Sequence, residues 1–188
     1  MRLDQRVAIV TGGSSGIGRA VCLDFAQSGA NVVVADIQEA PKQGIYHEQD
    51  TVTTTTQEVE NLGGKAVFVQ TDVANEESVR SLVDATVASY GGVDIVVNNA
   101  GIYIPGDSQQ LSTQDWDRVI GVDFRSVFLL TKYAAPHLMR SRAGRIINIA
   151  SELAYLGRAG FSGYAGTKGA VLTLTRSWAR ELGPDILV

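Results

Sequence analysis

The spacing of short apolar runs along this chain leaves it few folds to adopt. Arg6–Thr11, Asn31–Asp36, Lys65–Thr71, Asp94–Asn98 and Arg145–Ile149 are rich in β-branched residues, and Asp185–Val188 reads as the start of another such run. None alternates strictly between polar and apolar, so each predicts a strand covered on both faces, the pattern of a parallel sheet. Stretches of helical period separate them. Ile17, Val21 and Phe25 recur at four-residue spacing across 17–28, and Val79, Leu82, Val83 and Val87 form one stripe across 76–90, so both helices are expected to cover the sheet. Residues 112–141 form a long helical region capped by Ser112, with Asp115 and Asp117 near its start and Pro136 as an expected bend. A further helix follows Gly163 and stops at Gly183-Pro184. Residues 37–53 make a long connection between the second strand and its helix, which Thr55 and Glu58 open as a capping box and Gly63-Gly64 ends. The expectation is one α/β domain over residues 1–188: a Rossmann-like, doubly wound parallel sheet with helices on both faces.

The first strand runs into Thr11-Gly12-Gly13-Ser14-Ser15-Gly16-Ile17-Gly18, and a helix follows. Glycines at 12, 16 and 18 let the backbone turn tightly and approach a pyrophosphate, whose charge suits the free N–H groups at a helix N-terminus. The same residues spell Gly12-x-Ser14-x-Gly16, a hydrolase nucleophile elbow, in the right strand-turn-helix setting. A hydrolase also needs a histidine base, and the two histidines are His47, in the long connection, and His137, beside Pro136. Neither has a motif around it, so nucleotide binding is the stronger reading. Asp36, eighteen residues after Gly18, ends the second strand. A carboxylate there can accept hydrogen bonds from the ribose hydroxyls of NAD, whereas the 2′-phosphate of NADP would meet a like charge. NAD is therefore expected over NADP, with Arg19 or a lysine of the long connection as the residues able to reverse that preference.

Tyr164 and Lys168 stand four residues apart, on one face of the predicted helix. A phenol with a reference pKa near 10 is a poor base at neutral pH, and an ammonium one turn away favours its phenolate. Ser151 ends the fifth strand, at the edge where parallel sheets present ligands, and can hydrogen-bond a substrate oxygen.

Taken in order, the glycine turn at 11–18, Asp36, Asp72-Val73 after the third strand, Asn98-Asn99-Ala100-Gly101 after the fourth, Ser151 after the fifth, and Tyr164-Ala-Gly-Thr-Lys168 resemble the short-chain dehydrogenase/reductase family in its short, single-domain branch. The resemblance implies hydride transfer between NAD(H) and an alcohol or ketone. Tyr164 would be the general acid/base, assisted by Lys168 and Ser151, with Lys168 also bonding the nicotinamide ribose. It implies that Gly12, Ser14, Ser15, Gly16, Ile17 and Gly18 cradle the cofactor, that Asp72 and Val73 hold the adenine, and that Asn99, Ala100 and Gly101 wall the ribose. The same residues also have structural uses: Asp72 can cap the next helix, and the asparagine-glycine turn can tie neighbouring strands. By the same resemblance, helix faces within 112–141 and 163–182 would pair with a second subunit, in a homodimer or homotetramer.

Three features depart from the family. The residue that aligns with its usual fourth-helix asparagine is Asp123, which adds a charge able to pair with Lys168 and weaken its pull on Tyr164. The chain stops inside what the pattern makes the sixth strand, so the family's last strand and substrate lid are expected to be missing, leaving an exposed edge. The 37–53 connection is longer than the family's usual passage and follows Asp36, at the adenosine end. Asp123 and the missing lid keep a second reading open, a nucleotide-binding module with little turnover. Substrate selection would fall partly to segments 102–110 and 152–163, including Tyr103, Glu152 and Tyr155.

Composition narrows the partners. A formal charge of −4 and no block of Lys or Arg leave no receptor for a nucleic-acid backbone. Cys22 is the sole cysteine, which excludes an intrachain disulfide and a cysteine zinc site and fits a reducing cytoplasm; it is expected to pack as a small apolar side chain. No signal core opens the chain, and no apolar run nears the roughly 20 residues of a membrane helix. A cytoplasmic protein with no metal, membrane or nucleic-acid partner is expected.

Overall fold

A computed structural model describes residues 3–43 and 51–188; His47 and the middle of the 37–53 connection lie outside the described residues. Six parallel strands stand in the order β3-β2-β1-β4-β5-β6: β1 (Val7–Thr11), β2 (Asn31–Asp36), β3 (Lys65–Gln70), β4 (Ile95–Asn98), β5 (Gly144–Asn148) and β6 (Ile186–Leu187). All six expected strands are present, within a residue or two of the expected ends. The register aligns Val10 with Val34 on one side and Val97 on the other, so β1 lies at the centre of the sheet. Strand order reverses between β1 and β4, which opens a crevice at their carboxyl ends.

Side chains that alternate along the strands supply two cores. On one face, Ile9, Val33, Val96 and Ile146 pack with Val79, Leu82 and Val83 of α3 (Glu76–Tyr90) and with Leu129, Leu130 and Leu138 of α5 (Ser126–Arg140). On the other, Ala8, Val10, Val32, Val34 and Val97 pack with Cys22 and Ala26 of α1 (Gly16–Gln27) and Val59 of α2 (Thr55–Asn61). Removing this apolar surface from water is the main driving force for both layers. Burial pushes the Cys22 thiol up to about 12, so it stays a neutral, apolar side chain at physiological pH.

One local expectation is corrected and two details are added. The capping box uses Thr54 and Gln57, not Thr55 and Glu58: the Thr54 hydroxyl accepts from Gln57 N, and the Gln57 side chain accepts from Thr54 N. Thr55 is drawn off by a different acceptor, the carbonyl of Gly13 at 2.8 Å. The region 112–141 is α4 (Thr113–Ile120), a π-helical turn (Gly121–Arg125) and α5. Pro136 lies inside α5, and the break in regular hydrogen bonding falls at the π turn, a feature often found at functional sites. A short helix, α6 (Leu153–Leu156), not foreseen from periodicity, precedes α7 (Ser162–Glu181). At the sheet edge beyond β5, Ile186 is buried while Leu187 is half exposed. No described helix is long and apolar enough to cross a membrane.

Candidate active site

The turn between β1 and α1 has the backbone its glycines predict. Gly12 and Gly16 adopt φ of +66° and +53°, and a Cβ on Gly18 would stand 2.1 Å from the Gly12 carbonyl oxygen, so no other residue fits there. Ser15 is the N-cap of α1 yet makes no side-chain bond to its own helix, and the first turn of α1 carries no acidic residue. The first turn of α1 therefore carries no anion of its own, as suits an anion-binding end. Asp36 is buried beside it: Oδ2 accepts from Ser14 N at 3.2 Å and Oδ1 from Ile37 N at 2.8 Å.

A cleft of about 670 Å³ extends from this turn across the crevice. Of the residues expected to hold a nucleotide, Gly12, Ser15, Gly16, Ile17, Asp36, Asp72, Val73, Asn99, Ala100 and Gly101 line it. Ser14 and Gly18 lie behind it, where Ser14 is fully buried with an unpartnered hydroxyl and Gly18 supports Gly12. Asp72 does not cap α3, whose N-cap is Asn75; its Oδ1 accepts from Ala74 N within the turn. Sequence reasoning missed several residues of the lining, among them Arg118 and Val122, while Lys42 was foreseen only as a lysine able to take a phosphate and Ile102 only within the substrate segment 102–110. Thr11 was passed over as well. Its buried hydroxyl donates to Val97 O and accepts from Asn99 N and Ala100 N, tying the wall at 99–101 to the glycine turn. A threonine closing an apolar strand ahead of a glycine turn was its only sequence signal.

Past Gly101 the cleft gives way to a polar corner. Lys168 is buried on α7, its Nζ donating to Ile149 O at 2.9 Å and lying 5.6 Å from the centroid of the Tyr164 ring, so ammonium and phenol share one side of the helix. Ile149 follows β5 directly, and two residues on Ser151 accepts from Leu153 N. Lys168 thus joins α7 to the loop that carries Ser151. Burial lowers the Lys168 pKa, against the opposing attraction of Asp123.

Asp123, on the π turn, is fully buried. Oδ1 accepts from Ile102 N at 2.8 Å; Oδ2 has no hydrogen-bond partner and lies 3.9 Å from Lys168 Nζ. At that distance an ion pair is worth about 4 kcal/mol in a medium of effective dielectric about 20. Burial of a carboxylate costs a comparable several kcal/mol, and here it wins. The Asp123 carboxyl is pushed up to about 6, chiefly by burial, with the Ile102 amide and Lys168 pulling the other way. Gly101 is small for the same reason: a Cβ there would sit 3.1 Å from Asp123 Oδ2 and 3.6 Å from Lys168 Nζ.

Among the described residues the elbow reading of Ser14 finds no base. His137, the one histidine among the described residues, lines a separate cleft with Val7 and Asp94, at the opening end of β1, whereas Ser14 follows its closing end.

Crevices at the switch point of an open α/β sheet hold dinucleotides, and the class that this fold and cleft define is that of the nucleotide-dependent oxidoreductases. The chain belongs to the short-chain dehydrogenase/reductase family: the pattern described as short chain dehydrogenase matches residues 6–188. It is 35% identical over 182 residues to a 3-oxoacyl-acyl-carrier-protein reductase of Thermotoga maritima, covering 97% of this chain and 70% of that protein. It is 40% identical over 187 residues to (+)-borneol dehydrogenase 2 of Salvia officinalis, covering 97% of this chain and 62% of the relative. A short-chain dehydrogenase/reductase variant from Serratia marcescens superposes with a TM-score of 0.87 at 35% identity, over all of this chain and 73% of that one. Members of the family use nicotinamide cofactors.

Proposed function

We propose that the chain carries an NAD-dependent alcohol dehydrogenase or ketoreductase activity, with Tyr164 as general acid/base. The observation that carries this reading is the placement of the Lys168 ammonium 5.6 Å from the Tyr164 ring centroid and beside Gly101, which lines the cleft that begins on the glycine turn.

The residues fit the cofactor. The glycine turn is a cradle that a Cβ would fill, and Gly12, Ser15, Gly16 and Ile17 present it to the cleft. Asp36 keeps acceptor capacity for ribose hydroxyls beyond the two amides it already accepts. Its carboxylate supports NAD over NADP. Asp72 and Val73, which line the cleft, would hold the adenine, and Asn99, Ala100 and Gly101 would wall the ribose. The nicotinamide, when bound, supplies or takes up the hydride.

The protein's own part is proton handling and positioning. In reduction the Tyr164 hydroxyl gives its proton to the substrate oxygen as that oxygen gains negative charge; in oxidation the phenolate takes the hydroxyl proton. Lys168 stabilises the phenolate, and its bond to Ile149 O holds it against the Ser151 loop. Ser151 donates to the same substrate oxygen. Asp123, neutral below about pH 6 and charged above it, tunes the pull of Lys168 on Tyr164. The relatives' names support a small-molecule alcohol or ketone as substrate. Exposed Trp116 on α4 and Phe128 on α5 support pairing of these helices with a second subunit, in a dimer or tetramer. One buried, neutral thiol suits a cytoplasmic enzyme.

The test is NADH oxidation with a panel of ketones, beside NADH binding by fluorescence. Tyr164→Phe is expected to lose at least about a hundredfold in turnover, the low end for removal of a general acid, while binding NADH as before. Turnover that survives in Tyr164→Phe would overturn the assignment, and binding without any Tyr164-dependent turnover would leave a nucleotide-binding module.

A further inference from the structure

The cleft has two lips, and both are fastened to one short stretch of chain. One lip is the turn after β3, where Asp72, Val73 and Ala74 line the cleft; the other follows β4 and ends with Gly101 and Ile102. The π turn at 121–125 contributes Val122 to the same lining. Its Asp123 holds the second lip, with Oδ1 accepting from Ile102 N at 2.8 Å. Its Arg125 holds the first: Nη1 donates to Ala74 O at 2.8 Å, and Nη2 to Glu76 Oε2, at the start of α3, at 3.5 Å. A Cβ on Gly121 would rest 3.6 Å from the Ala74 Cβ, so the π turn and this lip lie in van der Waals contact.

The turn at 72–75 explains why it takes an arginine from outside. Asp72 Oδ1 accepts from Ala74 N, Asp72 O accepts from Asn75 N, and Asp72 N donates to Ser78 Oγ. These bonds satisfy the Ala74 N–H. The Ala74 carbonyl belongs to no strand or helix ladder, and it is the guanidinium that meets it. Glu76 braces the same clamp from the far side, since its Oε1 accepts from Lys132 Nζ at 2.9 Å and from the Tyr133 hydroxyl at 2.7 Å, both on α5. Arg125, Glu76 and Lys132 are partly exposed, so their ion pairs add little to stability. Their contribution is geometric: they fix where the 72–75 turn stands relative to the π turn.

We propose that Arg125 is a positioning residue for the adenosine half of the nicotinamide dinucleotide: by holding the Ala74 carbonyl, it keeps the 72–75 turn ordered before the cofactor arrives. The inference rests on the nucleotide-binding reading above and adds a residue that acts through Ala74 and not by touching the nucleotide. Without the clamp the turn is free to move in the unliganded protein and loses that freedom when the adenosine binds. Fixing the backbone of even one residue corresponds to about tenfold in affinity. The nicotinamide half lies against the other lip, whose bond to Asp123 does not involve Arg125.

Calorimetric titration with NADH, and its displacement by 5′-AMP and by reduced nicotinamide mononucleotide, on the unmodified protein, Arg125→Ala and Arg125→Lys, tests this. Glu76 keeps Lys132 and Tyr133 in both variants, so the fold is not at stake. Arg125→Ala is expected to weaken NADH and 5′-AMP by about tenfold and the mononucleotide by less than about twofold. Arg125→Lys keeps a cationic donor for the Ala74 carbonyl, though not the two-pronged fork, and should recover part of the loss. A loss that falls equally on 5′-AMP and the mononucleotide is that of a merely structural residue and overturns the role of Arg125. So does a change of less than about twofold for 5′-AMP, or a lysine variant no tighter than the alanine one. Failure of the unmodified protein to bind NADH overturns the nucleotide-binding reading itself, and the inference with it.

Discussion

Replacing Asp123 by asparagine should stabilise the protein at neutral pH and leave it nearly unchanged in acid. The carboxyl titrates at about 6 in the fold, against 3.8 for an unperturbed group, because burial outweighs the Ile102 amide and Lys168. The folded form therefore holds this proton more tightly than the unfolded chain does. Stability contributed by the neutral carboxyl is complete below about pH 4, falls as pH rises toward 6, and stays lost above it. Two pKa units correspond to about 3 kcal/mol in full, of which about 2 kcal/mol is lost between about pH 4.5 and pH 7. The amide of Asp123→Asn would keep an acceptor for Ile102 N and cannot ionise. Urea unfolding of both proteins over that range should show the separation of their midpoints widen by about 1 M from pH 4.5 to pH 7, for a slope near 2 kcal/mol per M. Midpoints that stay parallel across the range would refute the argument, because they would mean that Asp123 enters neutral pH already ionised at no cost.

The same substitution removes the negative charge 3.9 Å from Lys168 Nζ, so Asp123→Asn should preserve or raise turnover; a loss of more than about tenfold, or about 1.4 kcal/mol, would show that the carboxylate itself is needed. Gly18→Ala puts a Cβ 2.1 Å from the Gly12 carbonyl oxygen and should cost about 3 kcal/mol or more in unfolding free energy, with NADH binding lost; a normal midpoint and normal affinity would sink the packing argument. Thr11→Val leaves the Ala100 amide without its acceptor and Asn99 N with only Val97 O, and should cost about 1–3 kcal/mol in denaturant titration. Its effect on NADH affinity should exceed its effect on the midpoint, since the wall at 99–101 is what comes loose.

Legibility from sequence followed the range of the interaction. Strand order, the longer helices, the glycine turn and the one-turn spacing of Tyr164 and Lys168 depend on periodicity and backbone freedom within a few residues, and all were readable, while the four-residue α6 was too short to leave a period. The helix start at Thr54 was misread by one position because a distant acceptor, Gly13 O, claimed the hydroxyl of Thr55. The π turn at 121–125 was invisible, since its residues have an ordinary helical pattern and nothing local marks the wider loop. Of Arg19 and Lys42, charge alone could not say which was spent on α2 and which came to line the cleft.

By itself the sequence determined a parallel, doubly wound sheet with a glycine turn at the end of its first strand, because hydrophobic period and glycine placement act through neighbours along the chain. Only the tertiary structure decided that Gly101, Asp123 and Lys168 meet, that Asp123 Oδ2 is left without a hydrogen-bond partner there, and that its acidity moves toward neutrality. Those outcomes are matters of dielectric and distance. They come into being when β4, the π turn and α7 pack together, and no property of the three residues taken singly contains them.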